Sequence, residues 1–165
     1  MNQRQTAHSS RWLNAAIAVL PVVGVIILGQ CATFPNLAPW YMALKKPVFN
    51  PPNWVFAPAW TILYALMAFA VWRILTNRSS KQGKTLALVL FFVQLGLNAL
   101  WSWLFFALHD PGAGLLNIIP QWLMILATIK SFYRLDRVAA LCLTPLALWV
   151  AFATLLNFAI WRLNG

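Results

Sequence analysis

The sequence predicts an all-α membrane protein, a bundle of five transmembrane helices. Hydrophobic residues make up 62% of the 165-residue chain and charged residues only 8%, whereas a soluble domain usually carries about a quarter charged residues. Asp110 and Asp136 are the only acidic residues, so a water-facing surface cannot be built from this composition. Five apolar segments follow one another, each close to the ~20 residues that span the hydrocarbon core of a bilayer.

Each apolar segment is predicted to insert because none carries a charge near its middle, where one would cost about 2.5–3.5 kcal/mol. Arg73 and Lys130 lie near segment ends, from which their side chains can reach the membrane surface. The segments are uniformly apolar, without the alternation of barrel strands. The first is too long for the core of a secretion signal, and four similar ones follow it. After a polar, loosely ordered tail at 1–11, the expected helices are 12–33, 55–75, 86–107, 113–133 and 139–161.

The connection at 34–54 is the one long loop. Five prolines in it exclude a single continuous helix and favour extended or turn conformations. Long loops without regular structure are usually either disordered or functional lids, and the aromatic side chains here provide apolar surface to bury. We therefore predict a lid over one mouth of the bundle, with its characteristic residues at Trp40, Lys46, Pro47, Pro51 and Trp54. The other loops are a basic one at 76–85 and a tight turn at 109–112.

The net charge of +10 is explained by cations that flank membrane segments. Nine lysines and arginines belong to the N-terminal tail and to the loops after the second and fourth helices, whereas the opposite side has Lys45, Lys46 and Arg162. The positive-inside rule then places the N-terminus in the cytoplasm, with the lid and the C-terminus together on the other side. No basic stripe with regularly interleaved aromatic residues is present, so nucleic-acid binding is rejected.

The inventory of chemically active residues disfavours conventional catalysis. Neither acid is predicted to lie at mid-membrane depth, where a proton-coupled transporter would need one. His8 lies in the tail and His109 at a helix end, so neither is placed to ligate a haem inside the bundle. Cys31 and Cys142 are isolated within apolar segments and form no disulfide framework or metal motif. We therefore predict no catalytic residues and no metal site.

Ten tryptophans indicate an aromatic site. An interfacial belt explains those near segment ends but not those one or more turns inside. Gln94, Asn98 and Trp101 share a face of the third helix, and on the fifth helix Trp149, Ala153 and Asn157 recur every four residues. Amides in membrane helices commonly serve to bind helices together, which is the alternative. Large rings, amides and a small residue also suit a pocket for a flat apolar ligand, predicted at Trp60, Tyr64, Asn98, Trp101, Trp149 and Ala153.

Three motifs resemble the translocator protein family, also called the tryptophan-rich sensory protein or peripheral-type benzodiazepine receptor family. The resemblance covers nearly the whole chain, from about Trp12 to Arg162, and its first motif is the most specific. The motifs are Trp40-Tyr41-x-x-Leu44-x-Lys46-Pro47-x-Phe49-Asn50-Pro51-Pro52-x-Trp54-Val55-Phe56-x-Pro58-x-Trp60, then Gln94-Leu95-x-x-Asn98-x-x-Trp101, and Pro145-x-x-x-Trp149-x-x-Phe152-Ala153-Thr154-x-x-Asn157.

The resemblance implies a five-helix bundle, often a homodimer, that binds porphyrins such as protoporphyrin IX, haem-like tetrapyrroles, sterols and benzodiazepine-site compounds. It places the pocket at Trp60, Asn98, Trp149 and Ala153, with 34–54 as its cover and no obligatory cofactor. The sterol motif of the family has a tyrosine where this chain has Phe158, which disfavours a sterol as natural ligand. The tail lacks the character of a transit peptide, so a bacterial envelope membrane is expected.

We therefore expect a receptor or sensor for tetrapyrroles that could also move them through the membrane. Light-dependent breakdown of a bound porphyrin is an enzymatic alternative, in which the excited ligand supplies the reactivity. A passive structural subunit is a third class. For the dimer, the small-residue pair Ala147 and Ala151 is a weak candidate contact.

Overall fold

The computed structural model describes the backbone of residues 3–77 and 81–165 and the side chains of 12–77 and 82–165. Within those ranges the regular structure is entirely helical, and five helices are long and apolar enough to cross a membrane. The predicted fold class is confirmed. The long helices are α1 (Gln3–Thr33), α2 (Asn53–Thr76), α3 (Lys81–Ser102), α4 (Pro111–Tyr133) and α5 (Arg137–Asn164).

All five helices begin earlier than the apolar segments predict, α1 and α3 by the largest margins. Helix α1 starts at Gln3, so nearly all of the expected polar tail at 1–11 is helical, and the expectation of a loosely ordered tail was wrong. Helix α3 starts at Lys81, five residues before the predicted boundary. The physical reason is that extending an existing helix adds one hydrogen bond per residue fixed. Glutamine, arginine and lysine are also good helix formers.

The two acidic residues begin helices. Asp110 Oδ1 accepts a hydrogen bond from the Ala113 N–H (2.9 Å), and Asp136 Oδ1 accepts one from the Ala139 N–H (3.0 Å). Each carboxylate thus satisfies one of the N–H groups left unpaired in the first turn. Both acids therefore lie at ends of the bundle, one before α4 and one before α5.

The five helices form a closed ring in the order α1, α2, α5, α4, α3. Helix α4 packs extensively against both α3 and α5, α5 also packs against α2, and α1 packs against α2 and α3. Gly29 of α1 brings that helix close to Ser102 of α3, whose Oγ lies 3.4 Å from where a Cβ on Gly29 would be. The interior is filled at one end by large side chains such as Met67, Phe91 and Phe132.

Helix α4 is tied to both neighbours by side-chain hydrogen bonds. Asn117 Nδ2 donates to the Leu97 carbonyl of α3, and Trp122 Nε1 donates to the Ala147 carbonyl of α5, both at 2.9 Å. Ala147 is buried. The Ala147 position therefore serves packing between α4 and α5 inside one chain, and the expected dimer contact at Ala147 and Ala151 stays a prediction.

After Ser102, helix α3 continues as a wider π-helical turn, Trp103–Ala107. The Leu108 N–H bonds to the Trp103 carbonyl five residues back, at 2.9 Å. Such a turn shifts the register of the side chains that follow it. Phe105 and Phe106 are consecutive in sequence, and both rings are buried. One apolar face of a regular helix does not account for the burial of two consecutive side chains.

The segment 34–54 is only partly as predicted. It holds no single continuous helix, because the chain kinks at Ala38, whose backbone is extended (φ −124°, ψ 135°). Phe34–Asn36 and Leu37–Tyr41 nevertheless form short helical turns, so the expectation of extended or turn conformations was wrong there. Proline is compatible with the first turn of a helix, where its missing N–H would have no partner. Residues 44–52 are irregular as expected.

The end of the bundle opposite the lid is held by a polar cluster. Arg73 Nη2 lies 2.8 Å from Asp136 Oδ2, and Asn77 Nδ2 donates to the Leu135 carbonyl at 2.7 Å. Burial raises the pKa of Asp136, but its hydrogen bonds from Arg73 and Ala139 and the charge of Arg73 outweigh this. The pKa is therefore held below the ordinary value of 3.8.

This shift predicts acid-sensitive stability. Because the pKa of Asp136 is lower in the folded protein, its contribution is fully present above the unfolded value near 3.8 and is lost as the pH falls through the folded value. Asp136→Asn keeps a good helix cap but removes the charge. We expect the melting temperature in detergent to depend less on pH between about pH 5 and pH 2 in this variant than in the wild type.

Asp110→Asn is the matched control, because Asp110 forms no ion pair among the side chains that the structure describes. It should retain the wild-type pH dependence over the same window. Equal pH dependence of the wild type and Asp136→Asn would contradict the role given to the Arg73 pair.

Candidate functional site

Three of the predicted site residues are joined across the ring of helices. The Tyr64 hydroxyl of α2 donates to Asn98 Oδ1 of α3 at 2.8 Å, and the Trp60 ring stacks on Tyr64 with 5.3 Å between centroids. Asn98 is buried, and the two rings are half-buried. These residues recur at helical spacing on facing sides of α2 and α3, which is why they meet.

Trp101 is directed toward α5. Its indole Nε1 donates to Asn157 Oδ1 at 2.9 Å, and Asn157 Nδ2 donates to the Pro111 carbonyl at the start of α4 at 2.7 Å. The Trp101 ring also stacks on Phe105, with 4.9 Å between centroids. Trp101 thus joins α3, α4 and α5 near the lid, and its N–H is occupied by the protein itself.

Trp149 and Ala153 lie one turn apart on α5 and are half-buried. Trp149 meets Phe56 of α2 edge to face (5.9 Å between centroids) and tilts against Phe152 (5.9 Å). Trp60, Tyr64, Trp101, Trp149 and Ala153 all border the same buried core. Helices α2, α3 and α5 therefore contribute aromatic rings to one region below the lid.

The lid contacts this region through a residue outside the predicted set. The ring of Phe49 meets Phe152 of α5 edge to face, at 6.4 Å between centroids. Phe152 in turn adjoins Ala153 in sequence and Trp149 in space. The irregular half of the lid therefore lies against the part of α5 that carries two predicted site residues.

The predicted lid residues play different parts. Trp40 packs edge to face on Phe105 (5.6 Å), inside a small second core at the lid end. Lys46 Nζ is bonded to the carbonyl oxygens of Tyr41 (2.6 Å) and Leu44 (3.2 Å), so it caps the end of the preceding helical turn. Trp54 is already in α2 and is 74% exposed, so its assignment to the lid was wrong and it fits an interfacial anchor.

Pro47 and Pro51 shape the turn that precedes α2. The Pro47 carbonyl accepts from the Asn50 N–H (3.0 Å), and the Pro51 carbonyl accepts from Asn50 Nδ2 (2.9 Å). The fixed φ of proline limits the conformations open to this turn. Both prolines therefore set the path of the lid.

The side chains of Asn164 and His109 fasten the lid to the end of α5 and to the turn before α4. The amide of Asn164, at the end of α5, accepts from the Lys45 N–H and donates to the Lys45 carbonyl, both at 2.9 Å. His109 Nε2 lies 2.7 Å from Asn36 Oδ1, and the His109 ring stacks on Trp40 at 4.5 Å. The lid and the C-terminal end of α5 therefore share one face, as the charge distribution predicts.

The unpaired polar groups next to the aromatic rings are hydrogen-bond donors, and one unpaired acceptor lies a turn away on Gln94. Within the described residues, no hydrogen bond engages the indole N–H of Trp60 or Trp149, or the Nδ2 group of Asn98. Gln94, one turn from Asn98, is buried and its Oε1 has no partner. No acidic residue occurs within any of the five helices. The region therefore suits an apolar ligand that carries acceptors or negative charge at its edge.

The candidate site residues that sequence patterns predict lie on regular helices. Phe56, Phe49 and Phe152 were within the quoted family motifs but were not assigned a role. Asn157 lay on the four-residue pattern with Trp149 and could have been included. The contacts of His109 with Asn36 and of Asn164 with Lys45 join distant parts of the chain, and no local spacing reveals them.

The fold and site define a class, namely an integral membrane protein with a five-helix ring, an aromatic interior and a loop closing one end. A family model described as the TspO/MBR family matches residues 16–162. The chain belongs to this family, as the sequence motifs predict.

Individual relatives agree over nearly the whole chain. The chain is 43% identical over 153 residues to the tryptophan-rich protein TspO of Chlorobaculum tepidum, covering 92% of this chain and 96% of the relative. It is 40% identical over 153 residues to the protein of the same name from Archaeoglobus fulgidus, covering 93% and 98%. The translocator protein of Homo sapiens is 35% identical over 128 residues, covering 76% and 75%.

The bond between Tyr64 and Asn98 is expected to stabilise the bundle. Hydrogen bonds between membrane helices contribute about 0.6 kcal/mol on average and up to about 1.7 kcal/mol. Tyr64→Phe removes the hydroxyl, keeps the ring stacked on Trp60, and should lower the free energy of unfolding by about 1 kcal/mol. Thermal or detergent-induced unfolding measures this change.

A double-mutant cycle with Asn98→Leu provides the control. The two substitutions should be less than additive, because either one alone breaks the same bond. Full additivity would show that the bond contributes nothing to stability.

The Asn164 amide is expected to hold the lid closed. Asn164→Ala removes both bonds to Lys45, so the segment around Lys45 should exchange its amide hydrogens several-fold faster. Hydrogen exchange followed by mass spectrometry resolves this peptide from those of the helices. Thr154→Ala, which removes a bond within α5 alone, is the matched control, and unchanged exchange near Lys45 in Asn164→Ala would contradict the assignment.

Proposed function

We propose that this protein is a receptor or sensor for porphyrins and related tetrapyrroles in a bacterial envelope membrane. The ligand would lie among α2, α3 and α5, beneath the lid, against the rings of Trp60 and Trp149. One observation carries the proposal: the aromatic region offers unpaired N–H donors and no acid. A tetrapyrrole is flat, largely apolar and bears carboxylates at its edge, so it complements both properties.

Each part of the site would have a distinct role. The indole faces of Trp60 and Trp149 would stack on the macrocycle, each contributing about 0.5–1.5 kcal/mol beyond burial. Asn98 would donate through Nδ2, because its Oδ1 is engaged by Tyr64. Ala153 would leave room beside Trp149. Trp101 would shape the wall, since its N–H is bonded to Asn157.

The cations at the mouth would pair with the propionates. Lys46 is engaged with backbone carbonyls of its own loop, so Lys45 and Arg162 are the better candidates. Ion pairs exposed to water contribute only ~0–1 kcal/mol, so ring stacking and burial would supply most of the affinity. A ligand of about forty heavy atoms at ~0.3 kcal/mol per atom has a ceiling near −12 kcal/mol, which makes micromolar binding accessible.

The assembly would be a homodimer, as the family resemblance implies. Because Ala147 is buried between α4 and α5, the contact between the two protomers would use another face of the bundle.

The position of the family's sterol motif is separate from the aromatic site, since Phe158 is exposed on the outer surface of α5. That surface faces lipid, so a sterol there would occupy a place distinct from the aromatic site.

Titration with protoporphyrin IX tests the pocket. We expect Trp60→Ala to weaken binding about tenfold through the loss of one stacking face. Trp149→Phe keeps a ring but loses its N–H donor, and should weaken binding about threefold. Absorbance of the porphyrin measures both without relying on tryptophan emission.

Trp103→Ala is the matched control, because Trp103 lies on the neighbouring π-helical turn and is 44% exposed. Like Trp60→Ala, it removes an indole side chain, but from the lipid-facing side of the bundle, and it should leave the affinity for protoporphyrin IX unchanged. If Trp103→Ala weakens binding as much as Trp60→Ala, the ligand lies on the outer surface and the pocket assignment fails.

Light-dependent breakdown of the bound porphyrin is a second candidate function. The observation that favours it is the stack of two oxidisable rings, Trp60 and Tyr64, beside the proposed ligand position. Illumination of the complex should then bleach the porphyrin faster than illumination of porphyrin in empty detergent micelles. Equal rates would exclude catalysis while leaving the binding proposal intact.

A further inference from the structure

A separate cavity of about 240 Å³ opens at the lid end, between the start of α4 and the end of α5. Trp40, His109, Asp110, Trp161 and Asn164 are among the residues that line it. Its volume is below the range of about 300–1,000 Å³ typical of drug-sized ligands. A tetrapyrrole does not fit such a space, so this cavity is not the tetrapyrrole site proposed above.

The cavity contains an acid whose charge is not neutralised by a neighbouring cation. Asp110 caps α4 through Oδ1 and forms no ion pair among the described side chains, whereas Asp136 at the other end of the bundle is paired with Arg73. Two residues on, Gly112 has no side chain, and a Cβ there would lie 3.2 Å from Asp110 Oδ1 and 3.1 Å from Trp161 Nε1. The absence of a Cβ lets the carboxylate and the indole approach each other.

The lining of the cavity includes two tryptophans, Trp40 and Trp161, and neither lysine nor arginine is among its residues. Asn36 Nδ2 donates to the Ala32 carbonyl (2.8 Å), so Asn36 Oδ1 is the acceptor that faces His109 Nε2 (2.7 Å). The Nε2–H of His109 therefore donates this bond. Its ring stacks on Trp40. The nearby Lys46 is bonded to backbone carbonyls of the lid.

The end of helix α5 also favours a cation. Asn164 and Gly165 line the cavity, and the last carbonyls of a helix carry partial negative charge. Indole rings attract cations through their faces, and a quaternary ammonium is the ligand that aromatic cages with a carboxylate characteristically hold. An anion would meet the Asp110 carboxylate and the same carbonyl dipoles.

We propose that this cavity binds an alkylammonium group of the choline type, with Asp110 as counter-ion and Trp40 and Trp161 as aromatic walls. The site lies at an end of the helix bundle, where lipid headgroups and soluble solutes both have access. The ammonium could therefore belong to a phosphatidylcholine headgroup or to a free compound such as choline.

Equilibrium dialysis of radiolabelled choline against the protein in dodecyl maltoside tests the proposal. We expect saturable binding that is at least about tenfold stronger than that of 3,3-dimethylbutan-1-ol, a neutral molecule of the same shape. Asp110→Asn preserves the helix cap and should weaken choline binding about fivefold. Equal binding of choline and the neutral analogue would overturn the proposal.

Two further variants separate specific binding in the cavity from a general effect of charge. Trp161→Phe retains an aromatic wall but a weaker one for cations, and should weaken choline binding without changing the neutral analogue. Asp136→Asn removes the same charge from the opposite end of the bundle and should leave choline binding unchanged. Loss of binding in Asp136→Asn equal to that in Asp110→Asn would show a general charge effect and overturn the site.

Competition by lipids distinguishes the two sources of the ammonium. Displacement of choline by short-chain phosphatidylcholine but not by phosphatidylglycerol assigns the site to a lipid headgroup, and displacement by neither assigns it to a soluble ammonium compound. Equal displacement by both lipids would contradict recognition of an ammonium. Protoporphyrin binding, measured on the same variants, should be unaffected by Asp110→Asn, so this proposal and the tetrapyrrole proposal can fail separately.

Discussion

A polar side chain inside a bilayer must find its partner within the protein, because hydrocarbon offers none. This constraint determines how the interior of the ring is organised. Asn98 takes the hydroxyl of Tyr64 across from α2, and Asn157 joins Trp101 of α3 to the start of α4. These bonds join the helices near the aromatic rings. They also determine which polar atoms have no partner in the protein and would be available to a ligand.

The same constraint separates the charges from the aromatic site. With only two acids in the chain, both are used at helix starts, and one of them is paired with Arg73. The interior retains amides, hydroxyls and indoles. Among the described residues the unpaired groups of Trp60, Trp149 and Asn98 are donors, and Gln94 Oε1 is an unpaired acceptor. The lid end differs from the interior, because the carboxylate of Asp110, which forms no ion pair with the described side chains, lines a small cavity there together with aromatic rings. Under the two proposals, one bundle would offer two chemically distinct places for ligands, one suited to acceptors and one suited to a cation.

The helices and half of the site were predictable from local sequence, for identifiable reasons. Long apolar segments leave insertion as the only favourable outcome, and side chains at helical spacing such as Trp60 and Tyr64 must share a face. What failed depended on other forces. The polar start of α1 became helical by extension of a stable helix, and Trp54 joined α2. The contacts of His109 and Asn164 depend on how distant elements meet, which spacing along one helix cannot show.

The central claim is that Trp60 and Trp149 of the interior, and not the tryptophans of the outer surface, meet the tetrapyrrole. An NMR spectrum of the ten indole N–H groups, assigned by single replacements with phenylalanine, tests it directly during titration with protoporphyrin IX. We expect the macrocycle to shift the signals of Trp60 and Trp149 most and to leave those of Trp12 and Trp54 nearly in place. The largest shifts at Trp12 and Trp54, with Trp60 and Trp149 unmoved, would contradict it.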